Sequence, residues 1–96
     1  MFVLVTYDVN TETVNGKKRL QKVAKTCVKY GQRVQNSVFE CVLEPAQFIF
    51  FKQDLKGIID ENVDSLRFYK MGKNYKEQIE VLGKKIDFPQ ESTLIL

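Results

Sequence analysis

The chain has 96 residues, 44% of them hydrophobic and 28% charged, with a formal net charge of +3. This length and composition predict one folded domain over residues 1–96 and exclude wholesale disorder, and the lack of a long apolar run or signal-peptide pattern predicts a cytoplasmic protein without a membrane partner. With no histidine in the sequence, histidine-dependent triads and histidine-ligated zinc are excluded within this chain, which leaves carboxylates, Tyr, Lys or Arg for any catalysis.

The first predicted element is a β-strand from Phe2 to Tyr7 that ends at Asp8. Side chains alternate along a strand, and here both alternating sets are apolar. One set contains Phe2 and Leu4, and the other contains Val3, Val5 and Tyr7. Helices of the same chain cover one face of the strand, so the other face needs a second cover, and we predict a homodimer packed through its sheet faces.

A first helix is predicted from Lys17 to Tyr30, with Gly31 as its C-terminal cap. No acidic residue occurs between Thr13 and Phe39, whereas the rest of the chain holds eight basic and twelve acidic residues. The basic residues of this stretch are Lys17, Lys18, Arg19, Lys22, Lys25, Lys29 and Arg33. Four of them form a cationic ridge opposite the apolar stripe of the helix: Lys18, Lys22, Lys25 and Lys29. The ridge indicates a polyanion partner, nucleic acid first, with an ordinary solvated helix face as the alternative.

The stretch from Arg33 to Leu43 is strand-like with a polar centre, which predicts two short strands joined by a hinge. Pro45 begins a second predicted helix that runs to about Asp60. A clear strand follows from Leu66 to Met71, and a weaker one is predicted near Ile79 to Leu82. The order strand, helix, two strands, helix, strand predicts an α+β, ferredoxin-like βαββαβ fold.

The C-terminal extension, residues 84–96, is polar until it ends in Thr93-Leu94-Ile95-Leu96. We predict that it adds a strand segment to a sheet edge of its own chain or of a partner. Cys27 and Cys41 fall on apolar positions of regular elements, which predicts reduced, buried thiols and no metal-sulfur site.

Several stretches resemble a known family. VTYDV opens the chain, KKRL begins the first helix, GQRVQNSVFEC covers the hinge and RFYKMG covers the later strand. Together they are similar to the small, ferredoxin-like CRISPR-associated family of spacer-acquisition proteins, and look closest to its I-C subtype. The resemblance implies a symmetric homodimer that acts as a scaffold for an integrase partner. It also implies a metal-dependent nuclease activity on single-stranded RNA or double-stranded DNA, which is seen in some members.

Carried onto this sequence, the resemblance places the metal-binding acid at Asp8, with Tyr7 beside it as a second catalytic candidate. It also places basic nucleic-acid contacts at Lys18, Arg19 and Arg33. Magnesium suits such a site, because it accepts one or two carboxylates together with substrate phosphate. Two copies of Asp8 brought together at a dimer axis would favour a divalent cation.

Alternatives remain open for each candidate. Asp8 is also explained as an acid that caps the turn at Val9-Asn10, and Tyr7 as packing in the dimer interface. The sequence is compatible with three functions: a metal-dependent phosphodiesterase, a DNA-binding scaffold without catalysis, and an RNA-binding module. The third is disfavoured, because the sequence lacks the pattern of basic, Gly and alternating aromatic residues that such modules carry on a central strand.

Overall fold

The computed structural model describes residues 1–83. Its strands are β1 (Phe2–Asp8), β2 (Gln32–Gln35), β3 (Val38–Val42) and β4 (Ser65–Met71), and its helices are α1 (Val14–Tyr30) and α2 (Pro45–Lys56). The strands form one sheet in the order β2-β3-β1-β4, and each neighbouring pair is antiparallel. This is the ferredoxin-like arrangement that the sequence predicts. The C-terminal extension predicted at 84–96 lies outside the described residues.

Both helices lie on one face of the sheet. Val3 and Val5 on β1 pack there with Phe39 and Cys41 on β3, and all four are fully buried. The predicted alternation of β1 is therefore confirmed, since Leu4, Thr6 and Asp8 point to the opposite face. We call that second surface the open face.

Helix α1 begins three residues earlier than predicted, at Val14 rather than Lys17. The Thr13 hydroxyl accepts a hydrogen bond from the Gly16 amide at 3.0 Å, and the Thr13 carbonyl accepts one from Lys17 at 3.1 Å. Thr13 is thus an N-cap residue that the search for apolar periodicity overlooked. Gly16 is required here, because a Cβ atom would collide with the Asn10 carbonyl of the preceding loop.

The hinge between β2 and β3 is confirmed, with a register shift between Arg33 and Gln35. Helix α2 ends at Lys56, so the prediction of helix to Asp60 was too long. Its last turn is replaced by a tight turn in which the amides of Ile58 and Ile59 both donate to the Leu55 carbonyl. That turn still packs both isoleucines against the core.

The strand predicted near Ile79 to Leu82 is wrong. A short 3-10 turn, Tyr75–Gln78, follows β4, and residues 79–82 have no regular structure. The Tyr75 ring stacks on Phe2 with centroids 3.9 Å apart, which draws the chain onto the open face just after β4. Leu82 is 98% exposed, so the apolar residues that suggested a strand find no sheet edge there.

Candidate functional site

Asp8 is the last residue of β1, a central strand of the sheet, and its side chain is exposed on the open face. Across β4 it is paired in register with Ser65. Within residues 1–83, its carboxylate makes no hydrogen bond and no ion pair. The capping role considered for the turn at Val9-Asn10 therefore finds no side-chain contact to support it. An exposed, uncommitted carboxylate at a strand end is available to a ligand.

A shallow cleft of about 300 Å³ contains Asp8. It is lined by Thr6, Tyr7, Asp8, Ser65, Arg67 and Tyr69. Arg67 is exposed, and its Nη1 atom donates to the Tyr69 hydroxyl at 3.4 Å. A carboxylate, a guanidinium and several hydroxyls thus share one concave surface. A guanidinium is a strong phosphate ligand, so Arg67 belongs among the candidate residues although the sequence analysis missed it. The alternation of β4, which puts Arg67 and Tyr69 on the face of Asp8, was the available signal.

Tyr7 points the other way, into the core. Its residue is only 5% exposed, and its ring lies 6.1 Å from that of Phe39. The hydroxyl donates to the Asn36 carbonyl at 3.1 Å. Burial raises the pKa of Tyr7, and a hydrogen bond with Arg33 partly opposes that shift. The ring of Tyr7 therefore packs in the core, and the catalytic and dimer-interface roles suggested from the sequence stay predictions.

Arg33 lies at the edge of the sheet on β2. Its guanidinium sits 5.2 Å from the centre of the Phe39 ring, while the residue as a whole is exposed. One side of the guanidinium therefore packs against the core, and the other is accessible to a phosphate.

Arg19 is engaged within the fold. Its Nε donates to Asp64 Oδ2 at 2.8 Å and its Nη2 to Asp64 Oδ1 at 3.3 Å. The same carboxylate accepts the backbone amides of Asn10 and Asp60, each at 2.9 Å. The hydrogen bond from Arg19 is the main reason that the pKa of Asp64 lies below its usual value. Arg19 thus links α1 to the loops beside Asp8, and its contact with nucleic acid stays a prediction.

The cationic ridge has the form that the sequence predicts. Lys18, Lys22, Lys25 and Lys29 are all exposed, while Val23 and Cys27 on the opposite side of α1 are buried. The structure does not bring the ridge and the Asp8 cleft onto one surface, because α1 covers the core face and Asp8 lies on the open face.

A divalent cation fits this site only in part. The described residues hold no group of three or more acidic or cysteine ligands close enough for a metal ion. The Asp8 cleft offers one carboxylate and neutral oxygens from Thr6 and Ser65, which are hard ligands of the kind Mg²⁺ prefers. Among the residues that line the Asp8 cleft, Asp8 is the one carboxylate.

Three further ionisable groups are buried in the fold. Glu40 lies on the open face opposite Leu4, is 5% exposed, and has its pKa raised by burial. Cys27 and Cys41 are buried free thiols, as predicted, and burial raises the pKa of each to about 12. Neither cysteine is a nucleophile at neutral pH.

Comparison with known proteins decides the family. The family model described as CRISPR associated protein Cas2 matches residues 1–79. The chain belongs to the Cas2 family. It is 53% identical to a Halalkalibacterium halodurans protein named CRISPR-associated endonuclease Cas2, over 99% of both chains. It is also 53% identical to a Chlorobaculum tepidum protein named CRISPR-associated endoribonuclease Cas2, over the full length of both.

A crystal structure of Streptococcus pyogenes Cas2 at pH 6.5 superposes with a TM-score of 0.79 and 64% sequence identity, covering 86% of this chain and all of that one. Cas2 membership and the ferredoxin-like fold are thus confirmed, and the I-C subtype stays a prediction. No helix among residues 1–83 is long and apolar enough to cross a membrane.

Proposed function

We propose that this Cas2 chain is a magnesium-dependent endonuclease and a DNA-binding scaffold in CRISPR spacer acquisition. The observation that carries the nuclease proposal is the exposed Asp8 carboxylate in a cleft with Arg67 and Ser65. Relatives about half identical to it are named as endonuclease and endoribonuclease, which supports cleavage of phosphodiester bonds.

The active form we propose is a homodimer packed through the open faces. On that face Tyr69 is exposed and Leu4 and Val38 are half-buried, and the two helices of the same chain lie on the other side of the sheet. Packing two such faces together removes this surface from water. It would also bring the two Asp8 side chains toward a shared axis and supply the second carboxylate that one chain lacks.

Each residue of the cleft has a separate task in this proposal. Asp8 and its symmetry mate would hold Mg²⁺, which supplies a Lewis acid and an activated water when it is bound. Arg67 would bind the phosphate and stabilise the negative charge that develops on it. The Ser65 hydroxyl would hydrogen-bond a phosphate oxygen.

The scaffold role rests on different residues. The ridge of four lysines on α1, together with Arg33, would bind the phosphate backbone of duplex DNA without reading its sequence. A rigid two-fold body with a cationic ridge on each copy would hold a DNA segment between copies of the integrase partner. Asp8 is not needed for that role.

The test of the nuclease proposal is cleavage of labelled single-stranded RNA and double-stranded DNA with Mg²⁺ or with EDTA. We expect cleavage with Mg²⁺ only, lowered by at least about a hundredfold in Asp8→Ala. Asp54→Ala, which removes an exposed acid of α2, is the matched control and should cleave normally. Equal cleavage by Asp8→Ala and the wild type would refute a catalytic Asp8.

The second candidate is a DNA-binding scaffold without catalysis. It is favoured by the single carboxylate in the Asp8 cleft of one chain. If no metal or substrate gives cleavage that depends on Asp8, while integration in the presence of the partner survives Asp8→Ala, this reading replaces the first.

The dimer is tested by sedimentation of the full chain. We expect a dimer at micromolar concentration that is weakened when Thr93 to Leu96 are removed. Tyr69→Glu should also weaken it, because this change places a charge on the open face. A stable monomer for the full chain would contradict the proposed assembly.

A further inference from the structure

A second cleft lies on the opposite side of the sheet, between α2 and β4, with a volume of about 390 Å³. Ile59, Leu66 and Phe68 give it an apolar floor, and Lys52 and Lys56 line it from α2. Neither the Asp8 cleft nor the ridge on α1 includes these lysines. The volume is in the range of about 300–1,000 Å³ that is usual for ligand sites.

Lys52, which lines the cleft, and Lys70, which does not, both contact the ring of Phe48. The Lys52 ammonium lies 4.4 Å from the centre of the Phe48 ring, and the Lys70 ammonium lies 5.4 Å from the same centre. Lys56 follows Lys52 by one helical turn, so the two charges are neighbours on α2. Contact with the Phe48 ring holds two of these ammonium groups in place while leaving them exposed.

Within residues 1–83, none of these lysines is in an ion pair. The only ion pair within residues 1–83 joins Arg19 to Asp64, and the Asp54 carboxylate accepts a hydrogen bond from Tyr30. Glu61 and Asp64 also line the cleft, and because Asp64 is paired with Arg19, Lys52 and Lys56 face one unpaired carboxylate, that of Glu61. Like charges one turn apart on a helix destabilise it slightly, and an anionic ligand would relieve that repulsion.

We infer that this cleft binds single-stranded nucleic acid, with the phosphates at Lys52 and Lys56 and a base or sugar on the floor formed by Leu66 and Phe68. A single strand presents phosphates and unstacked bases together, which matches an apolar floor beside cations. In a duplex the bases are stacked inside and cannot reach this floor, so we expect a duplex to bind at the ridge on α1 rather than in this cleft. The inference goes beyond the proposed function, because it does not depend on Asp8 or on cleavage.

The test measures fluorescence anisotropy of a labelled 20-nucleotide single strand and of a 20-base-pair duplex, both with EDTA so that no cleavage occurs. The variant is Lys52→Gln/Lys56→Gln, and Lys56→Gln alone avoids any disturbance of the Phe48 contact. Lys73→Gln/Lys76→Gln is the matched control, because it removes the same charge from exposed lysines that do not line the cleft. A charge reversal of Lys22 and Lys25 serves as the reference for the ridge on α1.

For the Lys52→Gln/Lys56→Gln variant we expect about tenfold weaker binding of the single strand, and a salt dependence reduced by about 1.4 in logarithmic slope. Duplex binding should stay within about twofold of the wild type, as should both ligands with the control variant. Lys56→Gln alone should show part of the loss. The inference is overturned if single-strand binding is unchanged in both variants, if duplex binding falls by the same factor, or if the control loses as much. Asp8→Ala should bind the single strand normally even where it loses cleavage, and a loss of single-strand binding in Asp8→Ala equal to that in Lys52→Gln/Lys56→Gln would also overturn the inference.

Discussion

Asp8 and Asp64 lie at the same end of the sheet and have opposite environments. Asp8 ends β1 and pairs in register with Ser65, the residue directly after Asp64. The Asp64 side chain is 0% exposed and accepts hydrogen bonds from Arg19 and from two backbone amides. The Asp8 side chain is exposed and has no such bond among the described residues. Two acids of the same type, close in the fold, are therefore committed to structure in one case and available for function in the other.

The difference follows from the direction in which each side chain points and from the backbone hydrogen-bond donors that the nearby loops present. Asp64 faces the helices, where the β1–α1 loop and the α2–β4 loop both present backbone donors. Asp8 faces the open side, where β1 and β4 satisfy their backbone groups with each other. A buried carboxylate is stable in its charged form only when it is paired, whereas an exposed carboxylate is solvated by water and accessible to a ligand.

The largest expected effect comes from removing the buried acid. Asp64→Ala should lower the free energy of unfolding by about 3 kcal/mol, because it leaves Arg19 and two backbone amides without an acceptor. Asp8→Ala should change it by less than about 0.5 kcal/mol. Urea unfolding at pH 7 measures both.

The same pair predicts a dependence on pH. The pKa of Asp64 is lowered on folding, so its stabilising effect is present above its unfolded pKa of about 3.9 and is lost as the pH falls through the lower, folded pKa. The stability difference between the wild type and Asp64→Ala should therefore shrink at low pH. A difference that is constant down to pH 2 would contradict the ion pair.

A second expected effect concerns DNA binding by the exposed lysines of the ridge on α1. Lys22→Glu/Lys25→Glu should weaken duplex DNA binding by about a hundredfold at physiological salt, because it reverses two charges on the ridge. Its urea midpoint should stay near that of the wild type, since both residues are exposed. A loss of folding stability as large as that of Asp64→Ala would mean that the ridge is structural.

A smaller effect is expected at Tyr7, which precedes Asp8 but points into the core. Tyr7→Phe removes the hydrogen bond to the Asn36 carbonyl and should lower the free energy of unfolding by about 1 kcal/mol. Cleavage per folded molecule should be unchanged. Loss of cleavage with normal stability would instead support the catalytic role predicted from the sequence.

The smallest effect concerns Glu40, whose pKa is raised by burial. A carboxyl with a raised folded pKa destabilises the fold in its charged form, and that penalty fades as the pH falls through the folded pKa toward the unfolded value of about 4.3. Glu40→Gln should therefore stabilise the protein slightly at pH 7 and not at pH 4. A thermal shift at the two pH values checks the sign.

Sequence patterns predicted the parts of the fold that depend on periodicity. The alternation of β1, the apolar stripe of α1 and the polar hinge before Val38 each placed an element correctly. Periodicity did not predict that α2 ends at Lys56 or that residues 79–82 form no strand. Both depend on which tertiary surface the apolar side chains reach, as Ile59 reaches the core through a turn and Tyr75 reaches Phe2.

The candidate site was predictable only in part. The position of Asp8 follows from strand length, and its exposure follows from alternation. The partnership of Arg19 with Asp64 spans 45 residues and is set by the packing of two loops, which no local pattern encodes. Arg67 and Lys70 lie on opposite faces of β4. Only the assembled sheet shows that Arg67 shares a face with Asp8 and that Lys70 lies beside Phe48.

The most direct test compares Asp8→Asn and Asp64→Asn in the same two assays, Mg²⁺-dependent cleavage per folded molecule and urea unfolding. Both changes remove one charge from neighbouring positions at the same end of the sheet. We predict that Asp8→Asn loses cleavage by at least about a hundredfold with an unchanged midpoint, while Asp64→Asn lowers the midpoint and keeps cleavage within about tenfold. Cleavage lost equally in both variants, or a midpoint lowered equally in both, would contradict the division between a functional and a structural acid.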